Sequence, residues 1–388
     1  MDKRKLIILF TVFIDVLGIG IIVPILPFYI ESYGVSPFLI TVLYATFAFC
    51  SLFSAPLLGA LSDRVGRRPT LIVSIFSTAV GWLIFAWAPS VIFLFIGRII
   101  DGIAAGNFSI AQNYLIDISK SEKEKTHNLG FIGMIFGIGF IIGPAIGGML
   151  STISMAFPFI VVGGLALMNG IFALFFLPET NHNTSKGTKI QLNPFTPIIQ
   201  SLKEKALLPI FAAWFIFGLA IAIDHAILPL YLNAVFGFGS FISGLFLTGI
   251  GVIIAVNQGF AIKYIWLKYF KESSLVIKLA IFLTFGYFFM STKYLIIFLL
   301  GILLTSTAQS VIRIILTSQA AKKSSVLEQG RNIGVLASIM SLAMIIGPLL
   351  AGISFTVKPS LSYFISACIT VILVFILVRA KRTHKIDD

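Results

Sequence analysis

Long apolar runs separated by short polar clusters occupy almost the whole chain. They fall at 6–30, 37–61, 69–88, 91–118, 127–151, 156–177, 207–235, 240–262, 274–291, 294–320, 329–356 and 359–379. A helix needs about 20 apolar residues to cross the hydrocarbon of a bilayer. Inside that hydrocarbon every backbone N–H and C=O must pair within its own segment, which makes each run a helix. The pattern predicts an all-α membrane protein with twelve transmembrane helices. The first run follows Met1-Asp2-Lys3-Arg4-Lys5, as a secretory leader would. It is too long for a leader, contains Asp15 and is followed by no small-residue cleavage site, so it reads as span 1.

The polar clusters orient the spans. Lys3, Arg4 and Lys5 precede span 1, Arg64, Arg67 and Arg68 follow span 2, and Lys120, Lys123 and Lys125 follow span 4. Every second loop thereafter is basic, down to Arg379, Lys381, Arg382 and Lys385 at the end. The opposite face has only Lys293 and Lys358, with Arg98, Lys278 and Arg313 inside spans. By the positive-inside rule both termini are cytoplasmic and the protein is a multi-pass protein of the cytoplasmic (inner) membrane.

Composition narrows the classes. Of 388 residues, 58% are hydrophobic and 11% charged, against roughly 25% charged in an ordinary soluble domain. With a mean hydropathy of +1.03, this excludes a soluble globule, a disordered chain and a secreted disulfide scaffold. Cys50 and Cys368 both lie in apolar runs and read as small core side chains. The net charge of +13 is spread over the loops and forms no single basic patch, so no nucleic-acid partner is expected. The expected partners are the lipid bilayer and a small-molecule substrate, with the chain acting as a monomer. Of four histidines only His225 lies in a span. That leaves no parts for a metal site or a catalytic triad, so neither an enzyme nor a cofactor is expected.

The two halves of the chain resemble each other. Glu124, Asn128 and Gly130 enter span 5, and Glu328, Asn332 and Gly334 enter span 11 with the same spacing. Gly143-Pro144 and Gly148 recur as Gly347-Pro348 and Gly352, at the same offset of 204 residues. The longest polar stretch lies between them. The expected organisation is a six-helix bundle over 1–177, a cytoplasmic linker over 178–205 and a second six-helix bundle over 206–388. A parallel duplication of this kind is a transporter architecture, with substrate held between the halves near the midplane.

Between spans 2 and 3 stands Gly59-Ala60-Leu61-Ser62-Asp63-Arg64-Val65-Gly66-Arg67-Arg68-Pro69. Gly59 suits a close helix contact and Gly66 a tight turn. Asp63 can accept from Arg67 and can cap the next helix, and Asp117, at the end of span 4, is a second carboxylate within reach. This loop resembles the signature loop of the major facilitator superfamily. The resemblance implies a cluster that ties helices together on the cytoplasmic side in the outward-facing state. The loop 262–272 of the second half lacks the pattern. Span 5 carries Gly139, Gly143, Pro144, Gly147 and Gly148. Their spacing lets a neighbouring helix approach closely and their pattern is similar to the antiporter motif of drug-exporting members.

Charges inside spans mark functional candidates. Asp15 lies about ten residues into span 1, hence roughly 15 Å deep. Its setting, with Gly18, Gly20, Pro24 and Pro27, is similar to span 1 of twelve-helix drug:proton antiporters, including tetracycline exporters. Arg98 and Asp101 share one face of span 4 at i,i+3, in a segment similar to the family's span-4 motif. Asp224 and His225 lie in span 7, pointing about 100° apart, and Arg313 lies in span 10. The acidic residues that tetracycline exporters use in spans 3 and 9 have no counterpart here, which argues against a tetracycline–metal substrate.

The expected function is a proton-coupled exporter of amphiphilic, drug-like molecules working by alternating access. Asp15, Arg98, Asp101, Asp224 and Arg313 are the candidates for proton coupling and the substrate cavity, and protons are the coupling ion. The alternatives are a dedicated transporter of one metabolite, such as a siderophore or lipid precursor, and a nontransporting receptor on the same scaffold.

Overall fold

The computed structural model describes residues 3–119, 121–180, 207–323 and 329–383. Among these, all regular structure is helical, and twelve helices are long and apolar enough to cross a membrane. Span 1 is α1 (Lys3–Ile22) followed by the short α2 (Leu26–Glu31), and span 2 is α3 (Pro37–Val65). Spans 3 to 6 are α4 (Arg67–Ala86), α5 (Val91–Ile103) with α6 (Asn107–Asp117), α7 (Glu122–Ser151) and α8 (Phe157–Phe176). Span 7 is α9 (Leu208–Phe236), and span 8 is α10 (Ser240–Val256), which continues through a π-helical stretch, Asn257–Trp266. Spans 9 to 12 are α11 (Glu272–Met290), α12 (Leu295–Lys322), α13 (Gln329–Val357) and α14 (Pro359–Arg382). Large apolar side chains such as Ile92, Phe175, Ile296 and Phe375 are exposed. That is the inverse of a water-soluble surface and suits a lipid surround.

Two of the expected continuous spans are broken. Span 1 loses its helix over Val23–Ile25, at Pro24, which cannot donate to the helical ladder. Span 4 loses it over Ala104–Gly106. By contrast α7 runs unbroken through Pro144.

The chain forms two compact units. Unit 1 is Met1–Val35, Thr46–Asn193 and Gly239–Thr248, and unit 2 is Ser36–Ala45, Pro194–Phe238 and Gly249–Asp388. Each thus takes in the first turns of the second helix of the other half. The glycines of the fifth helices explain this. In unit 1 a Cβ added at Gly143 would sit 2.7 Å from Gly20 Cα of α1, and one at Gly148 would sit 3.0 Å from Phe241 O of α10. In unit 2 Gly347 lies against Ala222 of α9, and a Cβ at Gly352 would sit 3.0 Å from Phe38 Cα of α3. The repeat seen in sequence is therefore a repeat of contacts: α7 and α13 each press onto a first helix and onto the start of a second.

A further repeat escaped the sequence reading. Gly81 of α4 and Gly97 of α5 face each other, with a Cβ at Gly97 falling 2.7 Å from Gly81 O. In unit 2 a Cβ at Gly301 of α12 would fall 2.7 Å from Gly286 O of α11. Bilayers offer no hydrophobic drive between helices, so such close backbone approach carries the association.

Candidate functional site

The break in span 4 organises a polar seam in unit 1. Interrupting the helix deprives its last carbonyls of the regular i+4 donors. Gly102 O keeps a bond from the Ala105 N–H at 3.3 Å, and neighbouring spans add donors: Ser54 Oγ donates to Gly102 O at 2.6 Å and Ser77 Oγ to Ile100 O at 2.8 Å. Just before the break lie Arg98 and Asp101, both buried. Their ion pair is 3.5 Å long. The guanidinium also stacks 4.6 Å from the ring of Trp82 and 5.0 Å from that of Phe47, aromatic faces that compensate a desolvated cation.

Just after the break, Asn107 opens α6. Its Nδ2 donates to Thr78 Oγ1 at 3.4 Å. The polar set at this level of unit 1 comprises Asp15 of α1, Thr78 of α4, Arg98 and Asp101 of α5 and Asn107 of α6. Three of its members were expected from sequence. Asn107 and Thr78 were missed, because uncharged polar residues in an apolar run attract little notice. The signal that points to Asn107 is the Ala104-Ala105-Gly106 run before it, a poor continuation for a helix.

In unit 2 Asp224 is buried rather than meeting water at a helix end. Nearby in the same unit, Tyr363 packs edge-on to Tyr231 at 4.9 Å. Asp224 Oδ1 and the hydroxyls of Tyr287 and Tyr363 are buried without hydrogen-bond partners among the described residues. His225 points away from this cluster and is exposed, as is Arg313, whose charge acts on it. Asp224 and Arg313 thus fall in separate environments within the unit. Lys278, also within a span, is exposed and lies 4.5 Å from the Phe270 ring centroid.

The signature loop is a compact electrostatic knot. Arg67 pairs with Asp63 at 2.6 Å and with Asp117 at 3.0 Å, and donates to Ser62 Oγ at 2.6 Å. Gly66 turns the chain at φ 116°, a conformation closed to most side chains. Two expectations need correction. Asp63 does not cap α4, because Arg67 engages it. The cap is Glu179, whose carboxylate accepts from the backbone N–H of Arg67 at 2.9 Å and of Arg68 at 3.0 Å. Gly59 makes no close helix contact, since a methyl there would meet open space. Arg64 is half-buried beside the knot, and Arg68 donates to Leu174 O at 2.6 Å. The linker expected over 178–205 is described only to Thr180. These first residues dock on the knot, with Tyr114 OH donating to Pro178 O at 2.8 Å. The rest of the linker lies outside the described residues, as does Glu328.

The span-5 glycines pack as expected. Gly139 lies against Val16 and Leu17 of α1, Gly143 against Gly20, and Gly147 against Ile21 O. Pro144 O lies against Gly244 of α10.

Known proteins share both pattern and fold. The sequence profile of the Major Facilitator Superfamily matches residues 8–326. The class G tetracycline resistance protein of Vibrio anguillarum is 31% identical over 90% of this chain and 89% of its own length. The quinolone resistance protein NorA of Staphylococcus aureus (strain Mu50) is 30% identical over 52% of this chain and 55% of its own. Among solved structures, the peptide transporter POT in complex with sulfate superposes with a TM-score of 0.81 at 13% identity, covering 100% of this chain and 96% of its own. The human organic anion transporter MFSD10 (TETRAN) superposes at 0.72 with 22% identity, covering 96% and 98%. At these identities the structures speak for the fold alone.

Proposed function

The chain belongs to the major facilitator superfamily and is a multi-pass membrane transporter rather than an enzyme, and from that premise we propose that it exports small amphiphilic, drug-like molecules by proton-coupled alternating access. One observation carries this reading: a buried Arg98–Asp101 pair, 3.5 Å long, lies within span 4, and a second carboxylate, Asp15, lies within span 1 of the same unit. A carboxylate in hydrocarbon is costly unless paired or protonated. Two carboxylates with one cation leave room for one exchangeable proton. Proton entry neutralises the seam and proton release recharges it, so the protonation state biases one conformation over another. The relatives named for tetracycline and quinolone resistance support a drug-like substrate. The basic loops support a cytoplasmic-membrane location with both termini inside, and the reading takes one chain as the working unit, with protons and no bound cofactor.

The test is uptake of tetracycline, a fluoroquinolone and a lipophilic cation into everted membrane vesicles carrying the full chain. Uptake driven by an imposed pH gradient is expected, with collapse of the gradient abolishing it. Asp15→Asn is expected to lower gradient-driven uptake at least about tenfold, the scale of a lost proton-transfer group. Uptake that continues unchanged after the gradient is dissipated defeats the reading.

A further inference from the structure

The loop of the second half that lacks the signature pattern is built on a different plan. α10 passes into the π-helical stretch Asn257–Trp266, a single turn, Leu267–Tyr269, follows, and Lys271 leads into α11. In an α-helix nine residues make two and a half turns, which would set Asn257 and Trp266 on opposite sides. The wider π winding closes the same nine residues in about two turns, and Trp266 Nε1 donates to Asn257 Oδ1 at 2.9 Å. That bond fixes the indole. The Phe270 ring packs beside it, with centroids 6.3 Å apart.

Two cations flank this aromatic floor. Lys278 of α11 reaches back to it, with Nζ 4.5 Å from the Phe270 centroid. Lys268, two residues before Phe270, has its Nζ 5.3 Å from the Tyr269 centroid. Both lysines are exposed, and neither is in an ion pair among the described residues. Glu272, the one acid between 257 and 278, is engaged by Lys322 and Gln319. In the first half, by contrast, Arg67 is matched by Asp63 and Asp117. An aromatic face stabilises an ammonium without neutralising it, so both charges stay available to an anion.

We propose that Lys268 and Lys278, beside the Trp266–Phe270 floor, hold the phosphate of one anionic phospholipid from the leaflet on the side of the basic loops. Charge complementarity sets the sign of the headgroup, and depth selects a lipid over a soluble anion. Lys278 lies about 9 Å along α11 from Glu272, within a membrane span, and a long lysine stem carries its ammonium from there to headgroup level. The same face of α11 continues at three-, four- and seven-residue spacing with Ile281, Phe282 and Phe285, all exposed. The order along the helix, cation and then apolar strip, is that of a phospholipid headgroup and its acyl chain. Trp and Tyr beside the lysines suit the membrane–water interface. The site stands apart from proton coupling and from the transported substrate.

The test reads Trp266 fluorescence in the full-length protein carrying Trp87→Phe, which leaves Trp266 as the one tryptophan that is not buried. The protein is reconstituted in phosphatidylcholine vesicles with a rising fraction of brominated phosphatidylglycerol or brominated phosphatidylcholine. Each lysine near a membrane surface favours anionic lipid about fivefold. Half-maximal quenching is therefore expected at a fraction of brominated phosphatidylglycerol about twenty-five-fold lower than that of brominated phosphatidylcholine. Lys278→Gln should cut this preference about fivefold, Lys278→Arg should retain it, and Lys268→Gln with Lys278→Gln should abolish it. Lys381→Gln, on the same side but at the end of α14, should leave it unchanged. Should Lys278→Gln fail to fold, Lys268→Gln carries the test with the same fivefold fall. Equal quenching by the two lipids in the native background overturns the proposal, as does a preference that survives the double substitution or falls equally with Lys381→Gln. Relief of the quenching by inorganic phosphate assigns the cations to a soluble anion and overturns it too.

Discussion

Each half of the molecule ties the start of its third helix to the end of its fourth by an ion pair, and the two halves use opposite signs. In the first half the cation, Arg67, begins α4 and the anion, Asp117, ends α6, 3.0 Å apart. In the second half the anion, Glu272, begins α11 and the cation, Lys322, lies at the end of α12, 2.9 Å apart. A helix carries partial positive charge at its N-terminus and negative at its C-terminus. The second tie therefore runs with both helix dipoles, and the first runs against both. The supporting residues follow from that. Arg67 is buried and also held by Asp63 and Ser62, and Glu179 covers the α4 terminus. In the second tie Gln319 donates to Glu272 at 2.7 Å, and Lys322 is exposed. The tie placed against the dipoles is thus built into a knot around a buried cation, whereas the tie placed with them leaves its cation in the open.

Breaking the knot at its centre is expected to have the largest effect. Arg67→Ala leaves Asp63 and Asp117 facing each other without their shared cation. Removing one partner of a buried pair costs roughly 3 kcal/mol, to be read from chemical unfolding in detergent, together with loss of transport in everted vesicles. Stability within a few tenths of the native value would show that the knot is only a set of positive-inside charges.

Glu179 tests the covering charge separately. Glu179→Ala removes the acceptor for two backbone N–H groups at the α4 terminus and bares the positive end of the dipole. Loss of a helix cap costs about 1 kcal/mol, up to about 2 where charge is involved. The expected order is that Glu179→Ala costs less than Arg67→Ala and more than Glu272→Ala, whose half-exposed pair is worth under about 1 kcal/mol. A Glu179→Ala protein as stable as native would remove the dipole account of the first half.

The sequence made the twelve spans legible because their apolar runs are long and the loops between them alternate in charge. It made Asp15, Arg98, Asp101 and Asp224 legible because ionisable groups in hydrocarbon stand out. It hid what depends on geometry. Glu179 lies two residues beyond an apolar run and reads as the start of a linker. The second tie escaped because a motif is read by residue identity, and Glu272 with Lys322 reverses the signs. The break in span 4 escaped because Ala104-Ala105-Gly106 reads as small-residue helix packing. Asn107 and Thr78, uncharged and scattered, meet only once that break sets Asn107 at the start of α6, 3.4 Å from the Thr78 hydroxyl.

The finest test of the comparison changes the signs and keeps the pair. Glu272→Lys combined with Lys322→Glu preserves an ion pair between the same two helix ends but sets it against both dipoles, as in the first half. The N-cap of α11 is Lys271, whose side chain makes no cap bond. Each reversed charge costs about 0.3–1 kcal/mol at a helix end, so the double variant should fold and be less stable than native by about 1 kcal/mol. Lys322→Glu alone, with two acids opposed, should fall below it, which separates the pair from the dipoles. The cost should also shrink as salt is raised, since the charges are partly exposed. A double variant equal to native in low salt would mean that the ion pair alone governs both ties, and the burial of Arg67 in its knot would then need another cause.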